Sequence, residues 1–574
     1  MSKNRFHLIC MNFLIVLILC TSFFNASNPI HALQEENSSK LNLEYNDFST
    51  WRWSDLELVS SESIDDSSAP SFAIDSYDQV HVVWKDISGL GGSSEEIYYK
   101  YRRPGLGWST TEVISTEGTG FCTLPDIAID RDDNVHIVWQ DASDVGDLGG
   151  LDYDIFYKMW NITDDTWSTT KVISEESDQN SQQPRIMIDL FQNIHVVWED
   201  YSNYDGSGLS WDIFYKRWGP LSGWTLAEVV SQESLGFALN PSADVDMKGN
   251  VHVTWNDGTD YLGSGTDNDI FYKYWNVVSQ SWTIAEVLST ESDFDSTYPV
   301  LKVDSVGNIH VSWRDISEYL WAEAGYDIFY KSFKQGTGWT NSEIVSTETT
   351  DDSHNPELAV NDLGQVFVSW TDETNFGSNG IDTDTFFKIR DPVLEGWHGF
   401  QILTKDSTSD SYSPRLKLDR YGNLHMVWFD ATAFLNSDTD YDIFYNSFGA
   451  LPVSPALAII NPNPTGSDEI SLEWEELSDA TEYHIYRSSE YIWKTKTLTP
   501  IGASDYGGYT DTLPLQGTYY YVVVAENLYG NGSISECRSI MYDVPSLSEI
   551  LIPVGIILGF STIMFAILLI KRKK

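Results

Sequence analysis

The sequence predicts an all-β chain dominated by a seven-bladed β-propeller, and three observations carry that prediction. A tryptophan ending a recurrent motif falls at Trp84, Trp139, Trp198, Trp255, Trp313, Trp370 and Trp428, with gaps of 55 to 59 residues. Each unit holds four short runs of period-two alternation divided by turn residues, a pattern that suits strands and not helices. The last unit lacks a fourth run, while a spare one, "WSDLELVSSES" from Trp53, precedes the first unit. The strands balance only if that spare run completes the last blade, which closes the ring and removes both free sheet edges.

The first run of each unit starts at a proline and ends on an acid: "PSFAID" from Pro70, "PRIMID" from Pro184, "PRLKLD" from Pro414. The second is "GNIHVSWRD" from Gly307 and its copies, "NVHIVWQD" from Asn134, "GNVHVTWND" from Gly249 and "GNLHMVWFD" from Gly422. The third is "DIFYK", as at Asp154, Asp212, Asp269 and Asp327. The fourth opens on "GW", as at Trp108, Trp224 and Trp339.

Around the propeller (residues 51–449) the chain reads as follows. Residues 1–32 resemble a secretory signal: Lys3 and Arg5, an apolar run from Leu8 to Phe24, then small Ala26, Ser27 and Ala32. Residues 33–50 form a linker and 450–545 a second β domain. Leu551 to Ile570 holds 20 residues without a charge, followed by Lys571, Arg572, Lys573 and Lys574. That pattern predicts a transmembrane helix over 550–570 with a cytoplasmic basic tail at 571–574. It implies a single-pass type I protein of the cell membrane, its bulk extracellular.

The formal net charge of −51 argues against a nucleic-acid partner, which demands a basic footprint. It suits a solvated extracellular surface or cation binding. Outside the leader only Cys122 and Cys537 remain, so there is no disulfide framework. Asn37, Asn161 and Asn531 stand in N-x-S/T sequons.

Six units carry a histidine in the second run: His81, His136, His195, His252, His310 and His425. The remaining unit has Phe367. Equivalent positions on neighbouring blades lie on the order of 10 Å apart, whereas ligands of one ion each sit about 2.0–2.1 Å from it. The histidines therefore read as packing groups with hydrogen-bonded rings. The tryptophans of the second and fourth runs read as core. The aspartates Asp141, Asp200, Asp257, Asp315, Asp372 and Asp430 read as loop anchors.

Function is expected where the copies differ. The second-to-third loops vary, as in "DASDVGDLGGLDYD" from Asp141 and "DYSNYDGSGLSWD" from Asp200, and their carboxylates and carbonyls suit a partner or Ca²⁺. No other cofactor is indicated. In the first run, the positions just after proline face the axis and read Ser71, Asp126, Arg185, Ser242, Val300, Glu357 and Arg415. The candidate ligand-binding residues are Asp126, Arg185, Glu357 and Arg415 at the axial mouth, rimmed by Asn240, Tyr298, Asn355 and Tyr412. No catalytic residue is assigned. The second-run motif itself is expected to be scaffold up to and including its final aspartate.

Two resemblances add to this reading. "ISLEWEEL" around Trp474, "YHIYRSS" from Tyr483 and "YYYVVVAENLYGNGS" from Tyr519 resemble a fibronectin type III domain, which implies a spacer or adhesion sandwich. The repeat as a whole, with "SFKQGTGW" from Ser332 to Trp339, resembles the sialidase-like propellers and their aspartate box S-x-D-x-G-x-T-W. It departs from that box at Lys334 and Gly338. Membership would imply glycoside hydrolysis by three arginines on a carboxylate, a tyrosine–glutamate nucleophile and an aspartate acid/base. Here only Arg185 and Arg415 occupy equivalent inner positions. The sequence thus favours a surface binding or adhesion protein that recognises a glycan or an extracellular protein. A sialidase-like hydrolase or lyase and a structural coat component are the alternatives.

Overall fold

The structure, a computed structural model, describes residues 51–544 apart from 90–94, 119, 144–151, 317–324, 376–381, 393–395, 405–406, 436, 438–439 and 497. The chain divides into a unit Met1–Trp51 and a unit Arg52–Lys574, and the elements discussed below belong to the second. All regular structure among the described residues is β. The expected leader over 1–32, Asn37 and the basic tail lie outside the described residues.

Seven antiparallel sheets follow one another along the chain. In the fifth, Ser296–Val303 pairs with Ile309–Asp315, which pairs with Asp327–Lys334, whose far edge carries Gly338–Trp339 and Glu343–Ile344. The first strand of each sheet lies beside the first strands of its neighbours, and Ser411–Leu418 lies beside Ser67–Ile74, so the ring closes on itself. This is the arrangement of a β-propeller. The last sheet takes its outer edge from the start of the unit: Glu57 pairs with Tyr445 and Leu58 with Phe444. Ser60 Oγ donates to Asp442 Oδ1 at 2.5 Å, and Trp53 stacks on Phe448 at 4.8 Å.

Alternation drives the core. The second-strand tryptophans are 0–3% exposed, packed among residues of two sheets at a time. Val138, Ile155 and Ile173 of the second sheet, for example, meet Ile186, Val196, Trp198 and Phe214 of the third. The histidines are buried, and each is held through its Nδ1. Each Nδ1 meets a third-strand tyrosine hydroxyl at 2.7–2.8 Å (Tyr99, Tyr157, Tyr215, Tyr272, Tyr330 and Tyr445). Each Nε2 faces the aspartate that ends the first strand, at 3.3–3.7 Å. That aspartate also accepts backbone N–H groups of its own turn, as Asp304 does from Asn308 at 2.7 Å. In the sixth sheet the whole trio changes together to Asn361, Phe367 and Phe387, and the two phenylalanines stack at 6.2 Å.

The lysine of "DIFYK" ties each sheet to the one before it. Lys100, Lys158, Lys216, Lys273, Lys331 and Lys388 are buried, and each donates Nζ at 2.8–3.0 Å to a backbone carbonyl of the preceding outer strand: Val59, Ile114, Ile173, Val230, Leu288 and Val345. Each also pairs with a glutamate just beyond that carbonyl, as Lys216 does with Glu176 at 2.8 Å. The fourth-strand tryptophans Trp108, Trp167, Trp282, Trp339 and Trp397 add a second tie, as in Trp339 Nε1 to Glu286 at 3.1 Å.

A β-sandwich follows the propeller. One sheet pairs Glu469–Glu473 with Gly508–Thr512; the other holds Gly502–Ser504, Glu482–Ser488, Gly517–Asn527, Gly530–Ile534 and Arg538–Tyr542. Trp474, Tyr483, Ile485, Tyr521, Val523 and Ile540 fill the space between them. At the junction, Asn527 Nδ2 donates to Ala450 O at 2.9 Å, and the Tyr529 ring lies where a Cβ on Gly449 would stand.

The expected cell-membrane location is corrected. Among the described residues no helix is long and apolar enough to cross a membrane. The stretch Leu551–Ile570, on which that expectation rested, lies outside them.

Two predictions test this frame. Lys216→Met leaves the Ile173 carbonyl and Glu176 without their partner, and should destabilise by about 2–4 kcal/mol in a denaturant titration. Asp212 is buried, with Oδ1 bonded to Ser231 and Oδ2 bonded to nothing, and burial pushes its pKa up to about 7. A carboxyl raised on folding costs stability as pH climbs from its unfolded value toward the folded one. Asp212→Asn should therefore raise the melting temperature more at pH 8 than at pH 5, and an equal shift at both would refute this.

Candidate functional site: the axial mouth

Every first strand carries the same irregularity. The residue before its proline has a left-handed backbone: Ala69, Leu124, Gln183, Asn240, Tyr298, Asn355 and Ser413, with φ of 48–56°. The pairing with the second strand slips there, between Thr297 and Val300 for example. Such a bulge re-aims side chains at the end of a sheet. Here it turns these residues toward a pocket of about 170 Å³, lined by Gln183, Asn240, Tyr298, Asn355, Ser413, Arg185 and Arg415 among others. Asn240, Tyr298 and Asn355 thus stand on the rim expected for them. Tyr412 does not line this pocket: it precedes the left-handed Ser413 and packs on Phe429 and Tyr441 at 5.6 and 6.2 Å.

Past the rim lies an axial cavity of about 330 Å³. The positions after the prolines line it, as the alternation requires, and bring Asp126, Arg185, Glu357 and Arg415 together. The next axial positions add Asp244, Lys302 and Lys417. Four cations thus face three carboxylates inside a chain of net charge −51. Among the described residues the one ion pair in this lining is Arg415–Glu357 at 3.0 Å. Asp126 is spent on structure, accepting from Ser71 Oγ at 2.7 Å and from Ile186 N at 2.9 Å. Asp244 accepts from the backbone of Val245 and Val303. Arg185 donates to its neighbour's carbonyl, Pro184 O, at 3.2 Å. Burial first, and then the nearby Arg415, pushes the Arg185 guanidinium below its ordinary pKa; burial and Lys302 do the same to Lys417. Uncompensated cations in an enclosed wall attract an anion.

The rim also holds residues that sequence reasoning passed over. The middle position of each "W-x-D" lies opposite the residue two before the proline: Lys85 with Ser68, Gln140 with Thr123, Glu199 with Gln182, Asn256 with Leu239, Arg314 with Thr297, Thr371 with His354 and Phe429 with Tyr412. Several reach across to the next sheet's bulge: Gln140 accepts from Gln183 N at 2.9 Å, and Glu199 from Asn240 N at 2.9 Å. Arg314 lies over the rings of Tyr298 (4.3 Å) and Tyr326 (4.5 Å). Its Nε donates to Thr297 Oγ1 at 2.9 Å and its Nη1 to His354 Nδ1 at 3.0 Å. With Nδ1 accepting, the imidazole of His354 carries its proton on Nε2 and presents a donor. Tyr298 remains 42% exposed, a ring face available for stacking. The signal was the variable letter inside an otherwise fixed motif.

The stretch Ser332–Trp339 occupies the third-to-fourth-strand hairpin, with Lys334 exposed at the position of the missing acid. No family model matches the chain, and no curated protein does. Solved structures match the chain at low identity and with TM-scores below 0.5. An ulvan lyase bound to a GlcA–Rha3S fragment matches with TM-score 0.41 and 11% identity over 66% of this chain and 94% of that one. An intramolecular trans-sialidase from Ruminococcus gnavus gives 0.37 and 10% over 69% and 97%. A fungal copper alcohol oxidase gives 0.42 and 13% over 86% and 99%. Likeness at this level assigns no chemistry.

Burial first, and then the neighbouring Arg314, holds His354 below its ordinary pKa. Arg314→Met should therefore raise the His354 titration midpoint followed by NMR; an unchanged midpoint would show that Arg314 does not act on it.

Proposed function

We propose that the chain is a binding protein. Its seven-bladed propeller captures an anionic glycan in the axial mouth, and the C-terminal sandwich, a fibronectin type III-like module, is its carrier. One observation carries the reading: Arg185, walled in at the border of the two cavities beside Arg415, faces them without a carboxylate of its own. A bidentate guanidinium suits the carboxylate of a uronic acid or the sulfate of a sugar ester. The exposed face of Tyr298 and the hydroxyl, amide and imidazole donors around it suit the sugar rings. Binding is preferred to catalysis because the three carboxylates of the cavity are engaged: Asp126 and Asp244 each hold the backbone of the next strand, and Glu357 holds Arg415.

The test is an array of neutral, uronate-bearing and sulfated oligosaccharides applied to the purified protein, with product release followed in parallel. Retention of the acidic members alone, weakening with salt, is the expected outcome. Arg185→Ala and Arg415→Ala should each cost more than about tenfold in affinity, since a charge-assisted hydrogen bond contributes roughly 1.5–3 kcal/mol. Equal retention of neutral sugars would overturn the anionic ligand. Turnover of any member would replace the binding reading with the enzymatic one.

A further inference from the structure

Away from the propeller, one group of side chains has no part in the reading above. In the sandwich, Glu482–Ser488 pairs with Gly517–Asn527 so that Glu482 stands opposite Glu526 and His484 opposite Val524. Tyr483 and Ile485 turn inward to the core, so Glu482 and His484 share the other face, and Glu526, directly across from Glu482, shares it with them. His484 Nε2 hydrogen-bonds the Glu526 carboxylate and lies 3.8 Å from Glu482 Oε2.

Two features mark this as more than surface acidity. Like charges directly opposed on neighbouring strands repel, and among the described residues neither Glu482 nor Glu526 pairs with a lysine or arginine; His484 is their common partner. The chain carries 85 acidic residues, yet among the described residues this is the one group of three histidine, cysteine or acidic side chains whose ligand atoms all lie within 4.8 Å of one another. A tetrahedral ion with bonds of about 2.0–2.1 Å holds neighbouring ligand atoms roughly 3.3 Å apart. The ligand atoms here lie within 4.8 Å of one another, on side chains that share one face of the sheet.

We propose that Glu482, His484 and Glu526 form a binding site for a transition-metal dication of the Zn²⁺ type, a water completing the sphere. One imidazole nitrogen with two carboxylates selects Zn²⁺ over the all-oxygen preference of Ca²⁺ and Mg²⁺. Binding puts the ion on His484 Nε2 in place of a proton. A neutral imidazole moves that proton to Nδ1 and an imidazolium releases one to solvent. The ion would bolt together the two central strands of the sandwich sheet.

Titration calorimetry of the full chain with ZnCl₂ tests this, with Co²⁺ absorption as a report on coordination geometry. One tight site per chain is expected, with a tetrahedral Co²⁺ spectrum and a raised melting temperature. His484→Ala and Glu526→Gln should each weaken it by more than about tenfold, and CaCl₂ should not compete. Glu482→Gln, which removes a ligand but no hydrogen bond of the fold, guards against a folding defect and should weaken binding as well. Zn²⁺ uptake that is unchanged in His484→Ala or Glu482→Gln, or that Ca²⁺ displaces, would overturn the site.

Discussion

The ring depends on a buried ammonium group crossing from each sheet to the one before it. A lysine taken out of water needs its charge met and its three N–H groups bonded. In six sheets the third-strand lysine satisfies that demand on the previous sheet's outer strand, with a carbonyl and a glutamate or hydroxyl side chain. The carbonyl it takes belongs to a strand edge that would otherwise face the next sheet unpaired. Neither sheet is complete without the other, so the sheets assemble as a set. The last sheet has Asn446 in the lysine's place, and there Ser54 Oγ, from the completing strand, meets it.

The fold was legible because its constraints repeat. Seven tryptophans at near-constant spacing and a spare strand at Trp53 led to a closed ring, and the sheet order bears out the closure. The histidines were legible as structure because equivalent positions in a ring cannot share an ion, and the structure bonds each to a tyrosine and sets its other nitrogen against an aspartate. What the motif could not give was the identity of those partners. They lie about 20 residues downstream and 6 upstream in sequence, and the joint change to Asn361, Phe367 and Phe387 becomes visible as one event only once the three are known to touch.

The site was half legible. Alternation along the first strand placed Asp126, Arg185, Glu357 and Arg415 on the axis, and the cavity lining agrees. The rim was harder, because the bulge before each proline breaks the alternation on which the reading relied. Tyr412 stands two residues before its proline, whereas Asn240, Tyr298 and Asn355 stand one before theirs, the place that Ser413 takes in the last sheet. The bulge also hides the middle letter of "W-x-D", where Arg314 stands inside what reads as scaffold. The motif repeats where the core fixes the residue, and its middle letter differs because it faces the rim and the next sheet's bulge; Arg314, Glu199 and Phe429 occupy that same place in three sheets.

The closure strand has a mechanical side. Ser54 bonds Ser447 where the chain enters the ring, and Ala450 leaves it a few residues away, toward the sandwich. The two ends of the propeller therefore depart from one end of one antiparallel pair. Tension drawn through them loads the hydrogen bonds of that pair in succession, peeling it open instead of shearing it. The ring would yield to such a pull one bond at a time. Tyr529, wedged against Gly449 at that very exit, sits where such peeling would begin.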